Sequence, residues 1–219
     1  MHNIIFFSYH KVIRHNKLFY IRYINFFSES SKQPDFLSAD DLSLIYRIIR
    51  NHTKRNLIAF YNCGEDSGSN QTHKTIQFVP VSNNEPPIDV YLQRQQGYDQ
   101  GCQLAQVPWA HFVISIDPSD DLGDYLMGRF IRLLDLMFDF RRKNQFDSDK
   151  SSYNVLITKT HLHMIPRSKD KFEFLTIDGL SYSGILIATQ DEDLNEIQKI
   201  GITNILLAVG REKNEQSEE

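Results

Sequence analysis

Residues 62–77 read Asn-Cys-Gly-Glu-Asp-Ser-Gly-Ser-Asn-Gln-Thr-His-Lys-Thr-Ile-Gln and hold the residue types of a phosphate-handling turn. Asn62, Gly64, Ser67, Gly68 and Ser69 crowd a stretch that can aim backbone N–H groups and hydroxyls at phosphate oxygens. His73, Thr75 and Gln77 follow at a spacing of two, which on a strand puts all three side chains on one face. Such a row beside such a turn can handle a phosphoryl group. The same composition also makes ordinary hairpin loops, and a lone strand histidine is commonly a hydrogen-bonded surface residue.

A second pair with chemical potential is His161 and His163, again two apart. Two imidazoles on one strand face can bind a metal or hold a phosphate, or they can pack at a strand edge. No third ligand lies nearby and no Cys-x-x-Cys pattern exists, so no metal site is expected. The sequence requires no resident cofactor; a divalent cation would arrive with a nucleotide.

The elements that must position these residues follow from periodicity. Leu57–Tyr61 is an apolar run with the look of a buried strand, and Thr75–Val81 reads as its partner across the turn. Ser38-Ala39-Asp40-Asp41 reads as a helix N-cap with acidic first-turn residues, and Leu42, Leu44, Ile45, Ile48 and Ile49 continue at helical spacing to Asn51. Glu85-Pro86-Pro87 breaks structure, and Tyr91–Gln106 is expected to be irregular. Trp109–Ile116 reads as a strand. Leu122–Phe140, with Leu126, Phe130, Leu133, Leu134, Met137 and Phe138, is the clearest helix, and its arginines are expected to form a solvated face. Tyr153–Thr158, His161–Pro166 and Ser183–Thr189 read as strands, with Gly184 allowing close backbone approach. Asp191–Lys199 looks helical and Ile202–Val209 is the last ordered element. Antiparallel strands with helices packed on them give an α+β domain.

The chain has 219 residues, 41% hydrophobic and 12% aromatic, enough for one sizeable domain with its own core. A formal charge of −4 gives no electrostatic case for nucleic-acid binding, and no apolar run is long enough for a membrane helix. Two cysteines, Cys63 and Cys102, make no disulfide framework, and a reducing cytoplasmic or nuclear setting fits them. Cys63 sits in the turn, where its thiol is either accessible or a small filler. Residues 1–28 hold Lys11, Arg14, Lys17 and Arg22 and no acidic residue, a pattern shared with transit peptides but here rich in Phe, Tyr and Ile.

Two separate motifs carry a resemblance to a family. Tyr61, Asn62, Gly64, Ser67, Gly68 and Ser69 match a Tyr-Asn-x-Gly-x-x-Ser-Gly-x-Ser turn, followed by His73-Lys74-Thr75-Ile76-Gln77 where the family has His-x-His-x-Gln. Tyr153-Asn154-Val155-Leu156-Ile157-Thr158-Lys159, running on to Ile165-Pro166-Arg167-Ser168, matches its C-terminal Tyr-Asn-x-Leu-Leu-Thr-Lys … Val-Pro-Arg-Ser segment. The chain thus resembles the fungal diadenosine tetraphosphate phosphorylases, or ATP adenylyltransferases, of the histidine-triad-like superfamily, over roughly residues 35 to 210. The resemblance implies a histidine-triad-like antiparallel sheet with helices packed on it. It divides the chain into a divergent or truncated segment 1–34, a nucleotidyltransferase domain 35–210 and a charged, frayed tail 211–219.

The implied reaction cleaves diadenosine tetraphosphate with inorganic phosphate to ADP and ATP through a nucleotidyl-histidine intermediate. In the resemblance Gln77 holds the transferred phosphate, Asn62 to Ser69 cradle the others, Lys159 and Arg167 contact phosphate as fixed cations, and His161 and His163 border the ligand. The implied partners are adenine nucleotides, diadenosine polyphosphates and phosphate. The departure falls on the nucleophile: the second His of His-x-His-x-Gln is Thr75 here, with His73 the neighbouring base. A catalytically impaired nucleotide binder and a protein-interaction module on the same fold are the alternatives.

Overall fold

The computed structural model describes residues 3–8, 11–15, 24–32, 36–69, 73–81, 88–92, 97–117, 122–146, 151–173, 175–188 and 191–213. A six-stranded antiparallel sheet dominates it. Its strands are β3 (Ile24–Lys32), β4 (Leu57–Cys63), β5 (His73–Pro80), β6 (Phe112–Ser115), β7 (Tyr153–Ile157) and β8 (His161–Pro166), in the order β3-β5-β4-β7-β8-β6. β1 (Asn3–Ser8) and β2 (Lys11–His15) form a separate small sheet with β9 (Ile185–Ala188). The boundary expected at residue 34 therefore cuts off a strand that pairs with β5, Phe27 opposite Thr75.

Both sheet faces are covered, so the strands read as near-continuous apolar runs rather than alternating ones. On one face Ala59, Tyr61, Ile76, Phe78, Val155, Leu162 and Met164 pack beneath α1 (Ala39–Asn51) and α3 (Leu122–Lys143). On the other, Ile58, Phe60, Val79, Leu156 and Ile165 pack against α4 (Gly179–Tyr182), α5 (Asp191–Ile200) and α6 (Ile202–Val209). The candidate residues Thr75 and Gln77 lie on this second face, Gln77 opposite Phe60.

Local signals in the sequence explain both helices of the first layer. Ser38 caps α1 through a full capping box with Asp41: Ser38 Oγ accepts from Asp41 N–H, and the Asp41 carboxylate accepts from Ser38 N–H. The same carboxylate takes an ion pair from the buried Lys74 of β5 at 3.0 Å, tying the helix start to the strand that carries Thr75. α3 runs to Lys143, three residues past the expected end. Its Arg129 and Arg132 donate to the carbonyls of Asp99 and Gln100, so they clamp the irregular 97–106 stretch rather than form a solvated face. That stretch is preceded by one short helix, α2 (Asp89–Leu92).

Residues 211–213 are held, against the expectation of fraying from 211. Arg211 stacks over Phe146 at 4.2 Å, its carbonyl accepts from Ala110, and Lys213 donates to Leu104. The expected tail from Asn214 and the break at Glu85-Pro86-Pro87 lie outside the described residues. Among the described residues no helix is long and apolar enough to cross a membrane.

Candidate functional site

The chain leaves β4 through Gly64, makes a single tight turn over Glu65–Ser67, and turns again at Gly68. Both glycines have positive φ, +87° and +78°, which side-chain-bearing residues rarely adopt. Each also sits where a Cβ has no room: at Gly64 it would meet Ser152 Oγ at 2.5 Å, and at Gly68 it would fall on the Ile177 carbonyl. The space these glycines leave is filled by protein, by Ser152 at Gly64 and by the Ile177–Asp178 backbone at Gly68. Ser67 is fully buried and its hydroxyl donates to the Gly64 carbonyl at 2.5 Å, so it closes the turn and does not reach out to a phosphate as expected. Cys63 is likewise a buried filler, 3% exposed.

Three side chains hold this turn from below. Asn62 and Asn154 are direct partners in the β4–β7 register, and Asn154 Nδ2 donates to Asn62 Oδ1 at 2.7 Å and to the Ser67 carbonyl at 2.8 Å. Asn62 Oδ1 also accepts from Gly179 N–H at 2.9 Å, which docks the start of α4 onto the turn. Arg167 completes the hub. Its Nη1 donates to Asn154 Oδ1 at 2.7 Å and to the Ser67 carbonyl at 3.0 Å, Nη2 to Lys169, and Nε to Val209. Its guanidinium lies over the Tyr182 ring at 5.3 Å. Arg167 is 1% exposed, so burial lowers its pKa from the usual arginine range, while Tyr182 and the carboxyls of Asp178, Asp170 and Asp66 oppose that shift. The expected phosphate contact is corrected here: this arginine spends its donors on the protein and organises the turn from within.

Beside the turn, His73, Thr75 and Gln77 share the face the alternation predicts, with His73 exposed, Thr75 buried and Gln77 half-buried. Thr75 lies one residue past the Tyr61–Ile76 pair, abreast of Asn62, and Gln77 pairs with Phe60. The Thr75 hydroxyl donates to the main-chain carbonyl of His73 at 3.0 Å. A carbonyl takes up no proton at neutral pH, so this hydrogen bond orients the hydroxyl without activating it.

The remaining expected residues lie elsewhere. Lys159 sits at the β7–β8 hairpin tip, where its carbonyl accepts from Tyr46 of α1. The turn adjoins the opposite end, where Tyr153 pairs with Cys63, about 17 Å of strand away. His161 and His163 on β8 are fully buried and cluster with His111, the residue just before β6. His111 and His163 rings meet edge to face at 5.2 Å. Burial pushes His111 down to about 4 and His161 to about 3, and holds His163 well below the usual histidine range. Both sit on an interior strand, between β7 and β6, rather than at a strand edge. Among the described residues no three His, Cys, Asp or Glu side chains are grouped to hold a metal.

Sequence reasoning found the turn and the strand row, but not what supports them. Asn154 was visible only as a motif letter. Gly179 and the half-buried Asp178, which caps α4 by accepting from Ser181 N–H, carry no sequence signal at all.

Comparisons with known proteins bear on this geometry. The family model described as Ap4A phosphorylase N-terminal domain matches residues 10–94, and that described as ATP adenylyltransferase C-terminal domain matches residues 105–212. The chain is 28% identical over 191 residues to diadenosine 5',5'''-P1,P4-tetraphosphate phosphorylase 2 of Saccharomyces cerevisiae, covering 78% of this chain and 59% of that protein. It is 27% identical over 202 residues to Protein APA1 of the same yeast, covering 84% and 63%. Among solved structures, yeast Ap4A phosphorylase Apa2 in complex with AMP superposes with a TM-score of 0.76 at 25% identity, over 88% of this chain and 70% of that one. The complex of Apa2 with Ap4A gives 0.73 at 24% identity, over 88% and 70%. This chain thus spans about three fifths of the length of the curated relatives it matches.

Proposed function

We propose that this chain, which belongs to the diadenosine tetraphosphate phosphorylase (ATP adenylyltransferase) family, binds adenine nucleotides and diadenosine polyphosphates at the Asn62–Ser69 turn, with phosphorolysis held near background by Thr75. The observation that carries the reading is the buried Asn62–Asn154–Arg167 hub, which fixes the turn next to Thr75 and Gln77. A turn so held is preorganised, and a ligand that settles on it has little ordering left to do.

The family reaction needs a nucleophile that attacks the α-phosphorus of the dinucleotide, releases ATP, and is then displaced by inorganic phosphate to give ADP. A neutral imidazole does both steps because it attacks without losing a proton and leaves readily. Thr75 must shed a proton to attack, and its hydroxyl faces a carbonyl. Gln77 then serves as a hydrogen-bond donor to the bound phosphate and the half-buried Ser69 meets the ligand, while Asn62, whose Oδ1 takes Asn154 and Gly179, holds the turn in place. A divalent cation would enter with the nucleotide. The two unbridged cysteines favour a reducing compartment, the cytoplasm or nucleus.

Calorimetric titration with AMP, ATP and diadenosine tetraphosphate tests the reading. Saturable heat with each adenine nucleotide, and none with inorganic phosphate alone at the same concentration, is the expected result. A folded protein that gives no heat with any of them at millimolar ligand overturns it.

A further inference from the structure

Among the described residues, every large hydrophobic side chain that is strongly exposed lies in the helical layer on the face away from the nucleotide turn. Phe36 leads into α1 and Leu44 lies on it, while Ile131 and Phe138 lie on α3 at 46% and 42% exposure. On α3 these belong to one stripe, Met127, Ile131, Leu134 and Phe138, spaced i, i+4, i+7 and i+11. It lies beside the core stripe of the same helix, Leu126, Phe130, Leu133, Met137 and Phe140: Met127 and Leu134 are half-buried against that core, and Ile131 and Phe138 stand out from it. Among the described residues Ile131 and Phe138 are the part of this helix's apolar surface that its own fold leaves uncovered.

We propose that α3 pairs antiparallel with α3 of a second copy of this chain, about a two-fold axis near Arg132 and Leu133. The helix is self-complementary about that point. Rotation brings Phe138 of one copy against Met127 and Gly128 of the other, and Ile131 against Leu134. Gly128 is exposed, and a Cβ there would meet nothing within 4 Å, so it offers a gap for the aromatic ring. Charge agrees with shape. The helix carries the exposed Asp124 in its first turn and Arg142 and Lys143 in its last, and the rotation sets the acidic start of each copy against the basic end of the other. Arg142 is 78% exposed and engaged only by Asp139 one turn back, a surface pair of the weak class. Arg132 lies near the axis but points its Nε to the Gln100 carbonyl, off the stripe, so the two copies do not set like charges face to face.

Such a contact is isologous and closes on itself, and it leaves the nucleotide face of the sheet open in both copies. It is one helix wide, about 33 Å long, which places it among the smaller and weaker interfaces.

Sedimentation equilibrium of the full chain, from low to high micromolar concentration, is the test. A reversible dimer is expected. Ile131→Glu and Phe138→Glu should each weaken it at least tenfold while circular dichroism and nucleotide affinity stay unchanged. Asp124→Arg should weaken it, and Asp124→Arg combined with Arg142→Asp should restore it, which only the antiparallel register does. A monomer throughout the range overturns the proposal. So does a dimer indifferent to Ile131→Glu and Phe138→Glu, or one that the charge swap fails to rescue.

Discussion

Asn154 Nδ2 lies 2.7 Å from Asn62 Oδ1, across directly paired residues of β4 and β7, and this bond joins the two halves of the site. Asn62 belongs to the turn motif near residue 65 and Asn154 to the motif near residue 160. The fold brings them together because β7 pairs with β4, and Arg167, the residue that follows β8, then reaches Asn154 Oδ1 as well. One amide thus ties the turn, the central strands and the buried guanidinium.

Removing that amide should cost both stability and binding. Asn154→Ala removes three bonds of the hub and leaves one buried Arg167 N–H without an acceptor, although Asn62 Oδ1 keeps Gly179 N–H and the Ser67 carbonyl keeps Arg167 Nη1; an unsatisfied buried polar group costs about 1–3 kcal/mol. Urea denaturation should show a loss of about 2–4 kcal/mol. Nucleotide affinity of the folded fraction should fall in parallel, because the turn loses its anchor. Full affinity in a destabilised Asn154→Ala protein would mean that the turn is not the binding element.

Arg167→Lys should be nearly as harmful as loss of the residue. The guanidinium serves four acceptors at once, Asn154 Oδ1 and the carbonyls of Ser67, Lys169 and Val209, and a lysine ammonium cannot span that fork. A drop of about 3 kcal/mol or more is expected by thermal denaturation in the absence of ligand. A protein of unchanged stability with weakened nucleotide binding would return Arg167 to a direct phosphate role.

Gly68→Ala tests the packing account of the turn. Positive φ and the Ile177 carbonyl both oppose a Cβ, so a loss of about 2 kcal/mol or more in ligand-free stability is expected by urea denaturation. Gly128→Ala on α3 is the control, since that position is open and helical and should gain a few tenths to about 1 kcal/mol.

Much of this was legible in the chain. The alternation of His73, Thr75 and Gln77, the capping box at Ser38 and the core stripe of α3 are local, and local patterns survive folding. Lys159 and Arg167 show what a motif does not carry. Their motif gives their identity and neighbours, but whether a cation faces a ligand or the protein depends on strand pairing tens of residues away. Arg167 finds its acceptors at Ser67 and Val209, and Lys159 falls at the wrong end of a hairpin. The histidine cluster was hidden similarly, since His111 and His163 meet only across the β6–β8 pairing.

That cluster gives stability an acid limit. His111, His161 and His163 are fully buried and neutral, with folded pKa values below the ordinary 6.5, so the unfolded chain takes up protons first. Their charged forms face each other, with Lys213 adding repulsion at His111, while Asp89 lies 3.7 Å from His161 as the nearby opposing charge. Stability is therefore complete above about pH 6.5 and falls as pH drops, down to about 4 for His111 and about 3 for His161. Each should contribute a slope of about 1.4 kcal/mol per pH unit within its window. Urea midpoints between pH 7 and pH 4 check this, and His163→Phe should flatten the profile. A midpoint independent of pH over that range would mean that the imidazoles are hydrated or paired.

The account turns on Thr75, and one assay bears on it most directly: formation of ADP and ATP from diadenosine tetraphosphate and phosphate by the natural chain and by Thr75→His. Thr75 stands abreast of Asn62, in line with Gln77, so an imidazole there takes the nucleophile's place beside the turn. The natural chain should run near background, and Thr75→His should exceed it by about a hundredfold or more. Brisk phosphorolysis by the natural chain that survives Thr75→Ala, or a folded, nucleotide-binding Thr75→His protein that stays inert, would contradict the account.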